Sequence, residues 1–201
     1  GYGTALLEEL AGHARRLGRT SVGTDSWDAE GPRAFAERHG LAVKSVAIQR
    51  RQFLDQVDWD GLADLHEQAA KAAADYEVVR RVGPTPEEEL EHVATMVAAI
   101  NDAPTDDLDI EDEVFSADRV RAYEQSQAAR GLLLHRVMAR HRETGELAGH
   151  TVVTVEEERP HLGEQHDTAV LAAHRGHRLG VLVKAEMNLW LREIQPQLQT
   201  I

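Results

Sequence analysis

Apolar residues recur along the chain at three- and four-residue spacing in some stretches and alternate in others, which predicts interleaved helices and strands. Leu6, Leu7, Leu10, Ala14 and Leu17 fall on one helical face after Gly3, with Gly18 placed to end the helix. A strand is predicted over 19–27 with Val22 as its apolar anchor, then a helix over 29–39 stopped by Gly40, then a strand or hairpin arm over 41–53. The alanine-rich stretch 58–74 reads as a connecting helix. A strand over 76–82 is turned by Gly83-Pro84. Thr85-Pro86-Glu87-Glu88 then reads as a helix start, with a Thr N-cap, Pro at the first position and a capping box, and the helix runs to Ile100. Ser116 is expected to cap a helix ending at Arg130, with Gly131 behind it. Strands over 132–141 and 147–156 are joined by a hairpin turn over 142–145. A short apolar strand over 168–173 leads to a helix over 179–193. That helix carries Leu182, Val183, Met187 and Trp190 on one face, which assigns Met187 and Trp190 to the core. Thr200-Ile201 begins a further strand.

Composition narrows the class. The 201 residues are 42% hydrophobic, 28% charged and 4% aromatic, an ordinary globular balance, and the length is enough to bury a core. Mean hydropathy is -0.44, and no apolar run approaches the roughly 20 residues of a membrane helix. The first residues lack a basic and then apolar leader, so the cytoplasm is the expected compartment. Cysteine is absent, which excludes disulfides, thiolate metal sites and a cysteine nucleophile. Lys and Arg number 22 against 35 Asp and Glu, a net charge of -13. A nucleic-acid backbone would repel such a chain, and few aromatics are present to stack bases, so nucleic acid and membrane are both excluded as expected partners. A local basic site for one small anion stays compatible with this balance.

That local site is visible at Thr168-Ala169-Val170-Leu171-Ala172-Ala173-His174-Arg175-Gly176-His177-Arg178-Leu179-Gly180, a strand, a basic glycine-containing turn and a helix start. Amides at a helix N-terminus have no internal partner and carry partial positive charge, and glycine lets backbone approach a ligand closely. With Arg175, His177 and Arg178 beside them, they form a cradle for a phosphate or diphosphate; a solvated turn is the alternative. No Gly-Lys-Ser/Thr follows, so it is not a P-loop, and the glycines at 1 and 3 or 176 and 180 do not complete a dinucleotide fingerprint. The first residues, Gly1-Tyr2-Gly3-Thr4-Ala5-Leu6-Leu7, can be laid over residues 178–184 at an offset of 177 residues, the scale of tandem domains.

His174-Arg175-Gly176-His177-Arg178-Leu179-Gly180 resembles motif A of the GNAT N-acetyltransferases, Arg/Gln-x-x-Gly-x-Gly/Ala. Arg175 and Gly180 match it, and Arg178 stands at the first glycine. Gly1-Tyr2-Gly3 resembles the end of the same motif, and the element order from 76 to 201 resembles the first two thirds of the GNAT fold. The resemblance implies an actinobacterial-type tandem GNAT protein of α/β class, with a mixed central sheet flanked by helices. It implies the C-terminal part of a first domain at 1–54, a linker helix at 55–75 and the N-terminal two thirds of a second domain at 76–201. It further implies acetyl-CoA as co-substrate. Val170, Leu171 and Ala172 would line the pantetheine. Arg175, Gly176, His177, Arg178, Leu179, Gly180 and Val181 would hold the phosphates, with Gly1 and Gly3 as their counterparts in the first domain. The reaction would be direct attack of a primary amine, of unknown identity, on the thioester; a catalytically inactive acyl-CoA-binding or scaffold module is the alternative.

The expected catalytic base is Asp167 or His166, each with a turn or surface role as its alternative reading. Where the family often carries a tyrosine acid, the first unit has Ala36, which cannot donate a proton. The acidic run from Asp106 to Glu113 would attract a cationic amine if it bordered the acceptor pocket; a solvated loop is the alternative. His161, His166, Asp167, His174 and His177 are close in sequence but match no zinc spacing, so no metal is expected. Each incomplete unit would leave an open sheet edge. Such an edge would invite pairing with another chain, as in a homodimer; further chain beyond both ends is expected to cover it, the two fragments complementing one another being the alternative.

Overall fold

The computed structural model describes residues 1–104, 108 and 110–201, so Asp106, Asp107 and Asp109 of the acidic run lie outside the described residues. By internal contacts the chain divides into one unit formed about Gly1–Ile48 and another formed about Gln49–Pro104 and Asp112–Ile201.

The first unit carries α1 (Tyr2–Arg16) and α2 (Glu30–Arg38). Both end as expected, at Gly18 and Gly40, whose φ of 70° and 69° suits glycine and few other residues. The strands predicted over 19–27 and 41–53 do not form; only Phe53 makes a bridge, to Thr200. A strand is completed by a neighbour that takes its backbone donors and acceptors. The end of the second stretch meets one in the chain's last residues: Gln52 and Ile201 exchange backbone hydrogen bonds at 2.7 and 3.1 Å, and the Leu54 amide donates to Gln199 O at 2.9 Å. Val22, Val43, Val46 and Ile48 stay exposed.

In the second unit α3 (Trp59–Ala72) is capped by Asp58, whose side chain accepts from the Gly61 amide. The expected connecting helix is part of this unit's core: Ala69 and Ala73 are buried against Tyr76 and Trp190. The sheet follows in the order β1 (Tyr76–Val82), β2 (Leu132–His141), β3 (Leu147–Glu156) and β4 (Gly163–Val170), each antiparallel to the next. The sheet expected to be mixed is thus antiparallel throughout its four strands; outside it, a parallel bridge joins Leu162 to Thr200.

Alternation on β2 divides the core. Val137 and Ala139 pack under α3 and α6 (Leu179–Ile194) together with Val183, Met187 and Leu191. Met138 faces α4 (Leu90–Val97) and Val120 of α5 (Ala117–Ala129), with Val93 and Met96. On this second face Arg136 is 2% exposed. Its guanidinium donates to Glu124 Oε1 at 2.7 Å and Thr85 Oγ1 at 2.8 Å, and the Thr85 amide donates to Glu124 Oε2 at 2.8 Å. Thr85 is therefore no helix cap. The segment begins with a 3₁₀ turn over Glu87–Glu89, and the buried carboxylate takes the groups that a capping box would have used. No described helix is long and apolar enough to cross a membrane.

Candidate active site

β4 begins five residues before the expected strand and ends at Val170, with a 3₁₀ turn over Ala172–His174 behind it. The polar run Gly163-Glu164-Gln165-His166-Asp167 lacks an apolar signature, yet pairing with β3 makes it a strand. Thr151 faces Thr168 and Val153 faces Gln165, so His166 and Asp167 together oppose Val152 alone. This is a β-bulge, which bends the strand and re-aims its side chains. Gln165 Nε2 stitches it, donating to Thr151 Oγ1 at 3.0 Å, Val152 O at 2.8 Å and His166 O at 3.0 Å.

The bulge places the two expected catalytic residues differently. Asp167 is exposed and has no hydrogen bond or ion pair among the described residues. His166 bonds Thr154 Oγ1 through Nε2 at 3.0 Å and lies edge-on to Tyr123, with ring centroids 6.3 Å apart. Burial holds the Tyr123 phenol above its ordinary pKa; Arg136 opposes this, and Asp167 and Glu164 add to it. Tyr123 therefore stands as a neutral phenol between the buried polar network and the bulge, and no local sequence pattern marks it.

Beyond Leu162, the outer edge of β4 carries no neighbouring strand among the described residues. Gly163 donates to Thr200 O at 2.8 Å at the strand's start, and from there the edge is free up to Val170. At the far end β3 and β4 approach so closely that a Cβ on Gly149 would lie 2.9 Å from Ala169 O. Leu171 extends the ladder through its amide to Ala148 O at 2.9 Å.

The basic turn follows. Gly176 has φ 89° and Arg178 has φ 57° and ψ 21°, so the backbone passes twice through the left-handed region before α6 starts. Arg178 is the N-cap and supplies no side-chain cap. Its carbonyl accepts from Leu182 at 3.0 Å, while the amides from Gly176 to Val181 have no hydrogen-bond partner among the described residues. Gly176, His177 and Arg178 are exposed, Gly180 and Val181 half-buried, and Leu179 is buried in the core. The turn is open, and a row of donors with two exposed basic side chains can receive an anion.

Arg175 is placed otherwise than expected. Its Nε donates to Val170 O at 3.2 Å and a terminal nitrogen donates to Asp102 Oδ2 at 2.7 Å, so the guanidinium ties the turn to the strand end and to the end of the α4 segment. Gly1 and Gly3 belong to the other unit. Gly1 is the N-cap of α1, and Gly3 lets Phe35 approach, since a Cβ there would lie 3.2 Å from the Phe35 ring. Among the described residues no group of three or more His, Asp or Glu is arranged to hold a metal ion.

Comparison with solved structures gives the fold its relatives. The chain is similar to a tandem GNAT protein from the clavulanic acid biosynthesis pathway, with TM-score 0.66 and 27% identity over 98% of this chain and 59% of that one. The chain thus spans somewhat more than half the length of that relative. An acetyltransferase of the GNAT family from Desulfovibrio desulfuricans matches at 20% identity and TM-score 0.40, covering 59% of this chain and 68% of that one. An N-acetyltransferase from Staphylococcus aureus matches at 14% identity and TM-score 0.39, covering 58% and 68%. No family profile and no curated protein matches the sequence. The likeness to the tandem protein bears out the resemblance read from the turn, and the fold is the GNAT fold.

Proposed function

We propose that this chain comprises parts of two tandem GNAT units and that the second is an N-acetyltransferase, moving an acetyl group from acetyl-CoA to a primary amine by direct attack. The observation that carries this reading is the row of unpartnered amides from Gly176 to Val181 at the end of the free edge of β4. An anionic diphosphate suits those donors, and Arg178 adds positive charge where the chain is otherwise acidic, with the exposed His177 beside it. The pantetheine arm would lie at the end of β4 and just past it, at Val170, Leu171 and Ala172. Arg175 shapes the turn through Val170 O and Asp102.

The chemistry asked of the chain is modest. An amine nitrogen adds to the thioester carbonyl, the C–S bond breaks, and the coenzyme leaves as a thiolate that takes up a proton. The ammonium proton must first leave the acceptor. Asp167 is the carboxylate for this, being exposed and unpaired at the bulge, whereas His166 is engaged with Thr154 and orients against Tyr123.

Calorimetric titration with CoA tests the cradle, and thioester turnover over a panel of primary amines tests the transfer. Asp167→Asn is expected to lower kcat by roughly 10²–10⁴ with CoA affinity unchanged, the usual reach of general-base catalysis. CoA binding without turnover on any amine would instead favour an acyl-CoA-binding module. Absence of CoA binding would end both readings.

A further inference from the structure

At the end of the sheet nearest the turn, three segments distant in sequence converge on one hydrogen-bonded chain. Tyr76, the first residue of β1, is 6% exposed, and its hydroxyl lies 2.9 Å from His174 Nδ1. The other ring nitrogen, His174 Nε2, lies 3.1 Å from Glu146 Oε2 in the β2–β3 hairpin. His174 closes the 3₁₀ turn and directly precedes Arg175 and Gly176. Two more imidazoles pack around the same phenol, His141 at 5.2 Å and His177 at 5.5 Å between ring centroids.

Burial, Asp75 and Glu146 hold the Tyr76 phenol above its ordinary pKa, so it keeps its proton where it meets Nδ1. The Glu146 carboxylate can only accept, so Nε2–H donates to it. Held from both ring nitrogens, by Tyr76 and by Glu146, His174 has its ring plane fixed, and through its backbone the entry to Gly176. Arg175 pins the same entry from the opposite side through Asp102. Tyr76 and Glu146 lie far in sequence from the stretch 174–180 that resembles the phosphate loop, and His174 opens it.

We propose that Tyr76, His174 and Glu146 are positioning residues that hold the basic turn in its diphosphate-binding shape. This inference rests on the coenzyme reading above, and it separates the two parts of the ligand. The relay would govern grip on the diphosphate and leave the pantetheine track at the end of β4 untouched.

The test titrates the full 201-residue chain by calorimetry with CoA and with pantetheine, which lacks the diphosphate. Tyr76→Phe keeps the ring and removes one hydrogen bond; Glu146→Gln changes the half-exposed far end. Each is expected to raise the CoA Kd about five- to tenfold, the effect of one lost hydrogen bond, with the pantetheine Kd within twofold and the thermal midpoint nearly unmoved. A parallel loss for both ligands, or CoA affinity unchanged in both variants, would overturn the positioning role. A parent chain that binds no CoA would overturn the coenzyme reading and this inference with it. Parent binding with unaffected variants removes this inference alone.

Discussion

Arg178 offers a test in which stability and binding should part. It is the only non-glycine residue at positive φ among the described residues. A residue bearing Cβ in the left-handed basin is strained by roughly 1–2 kcal/mol. Glycine escapes that strain but forfeits about 0.5–1 kcal/mol through its freer unfolded chain. Arg178→Gly should therefore be about 1 kcal/mol more stable than Arg178→Ala, which for a chain of this size separates the two melting midpoints by roughly 2–4 °C. Both variants lose the same guanidinium. If that group meets the diphosphate, each should bind CoA more weakly by roughly ten- to a hundredfold, the range of a charge-assisted hydrogen bond. Thermal unfolding ranks the pair, and calorimetric titration measures affinity. Equal midpoints would refute the left-handed assignment. A glycine variant that binds CoA as tightly as the parent would refute the guanidinium contact.

Three further perturbations address the scaffold. Glu124→Ala leaves Arg136 charged and buried without its carboxylate, so urea unfolding should show a loss of about 3–5 kcal/mol; a loss under about 1 kcal/mol would mean the pair is not desolvated. Gly149→Ala sets a Cβ 2.9 Å from Ala169 O, a backbone atom held by the sheet, and should destabilise by about 1–3 kcal/mol in the same assay. His150 is buried on β3, and desolvation, then the Arg136 charge, lowers its pKa to about 3. Its unfolded form protonates near pH 6.5 and its folded form does not, so stability falls as pH drops from about 6.5 towards 3, by up to about 1.4 kcal/mol per pH unit. Urea midpoints at pH 7, 6 and 5 should decline in the parent and decline less in His150→Gln; identical slopes would refute the burial argument.

The legible parts of the fold are those whose signal is local. Strands β1, β2 and β3 start and stop where alternation or an apolar run does, and α1, α2 and α5 end at glycines whose φ is positive. β4 was hidden because Glu164, Gln165, His166 and Asp167 read as a polar loop; hydrogen bonds to β3, not side-chain character, make them a strand. The stretches 19–27 and 41–53 err in the opposite direction, having strand character without forming a strand, although Gln52 at the end of the second pairs with Ile201. At Thr85 a capping pattern lost to a tertiary one, because a buried arginine and carboxylate need every available partner more than an exposed helix end needs its cap.

The candidate site divides along the same line. Its turn lies within one short stretch, so its basic residues and glycines were legible together, and even the departure from the motif at Arg178 marks a position that takes a left-handed backbone. What orients the turn was not legible. His174 meets Tyr76 across 98 residues and Glu146 across 28, and Arg175 meets Asp102 across 73. No periodicity encodes such meetings; they follow from the order of strands, which brings the start of β1, the β2–β3 hairpin and the end of β4 to one end of the sheet. Backbone donors come from a local motif, whereas their aim comes from topology. Two chains sharing the motif can therefore differ in coenzyme affinity through residues that never touch the ligand, and in this chain Tyr76 and Glu146 are where such a difference would originate.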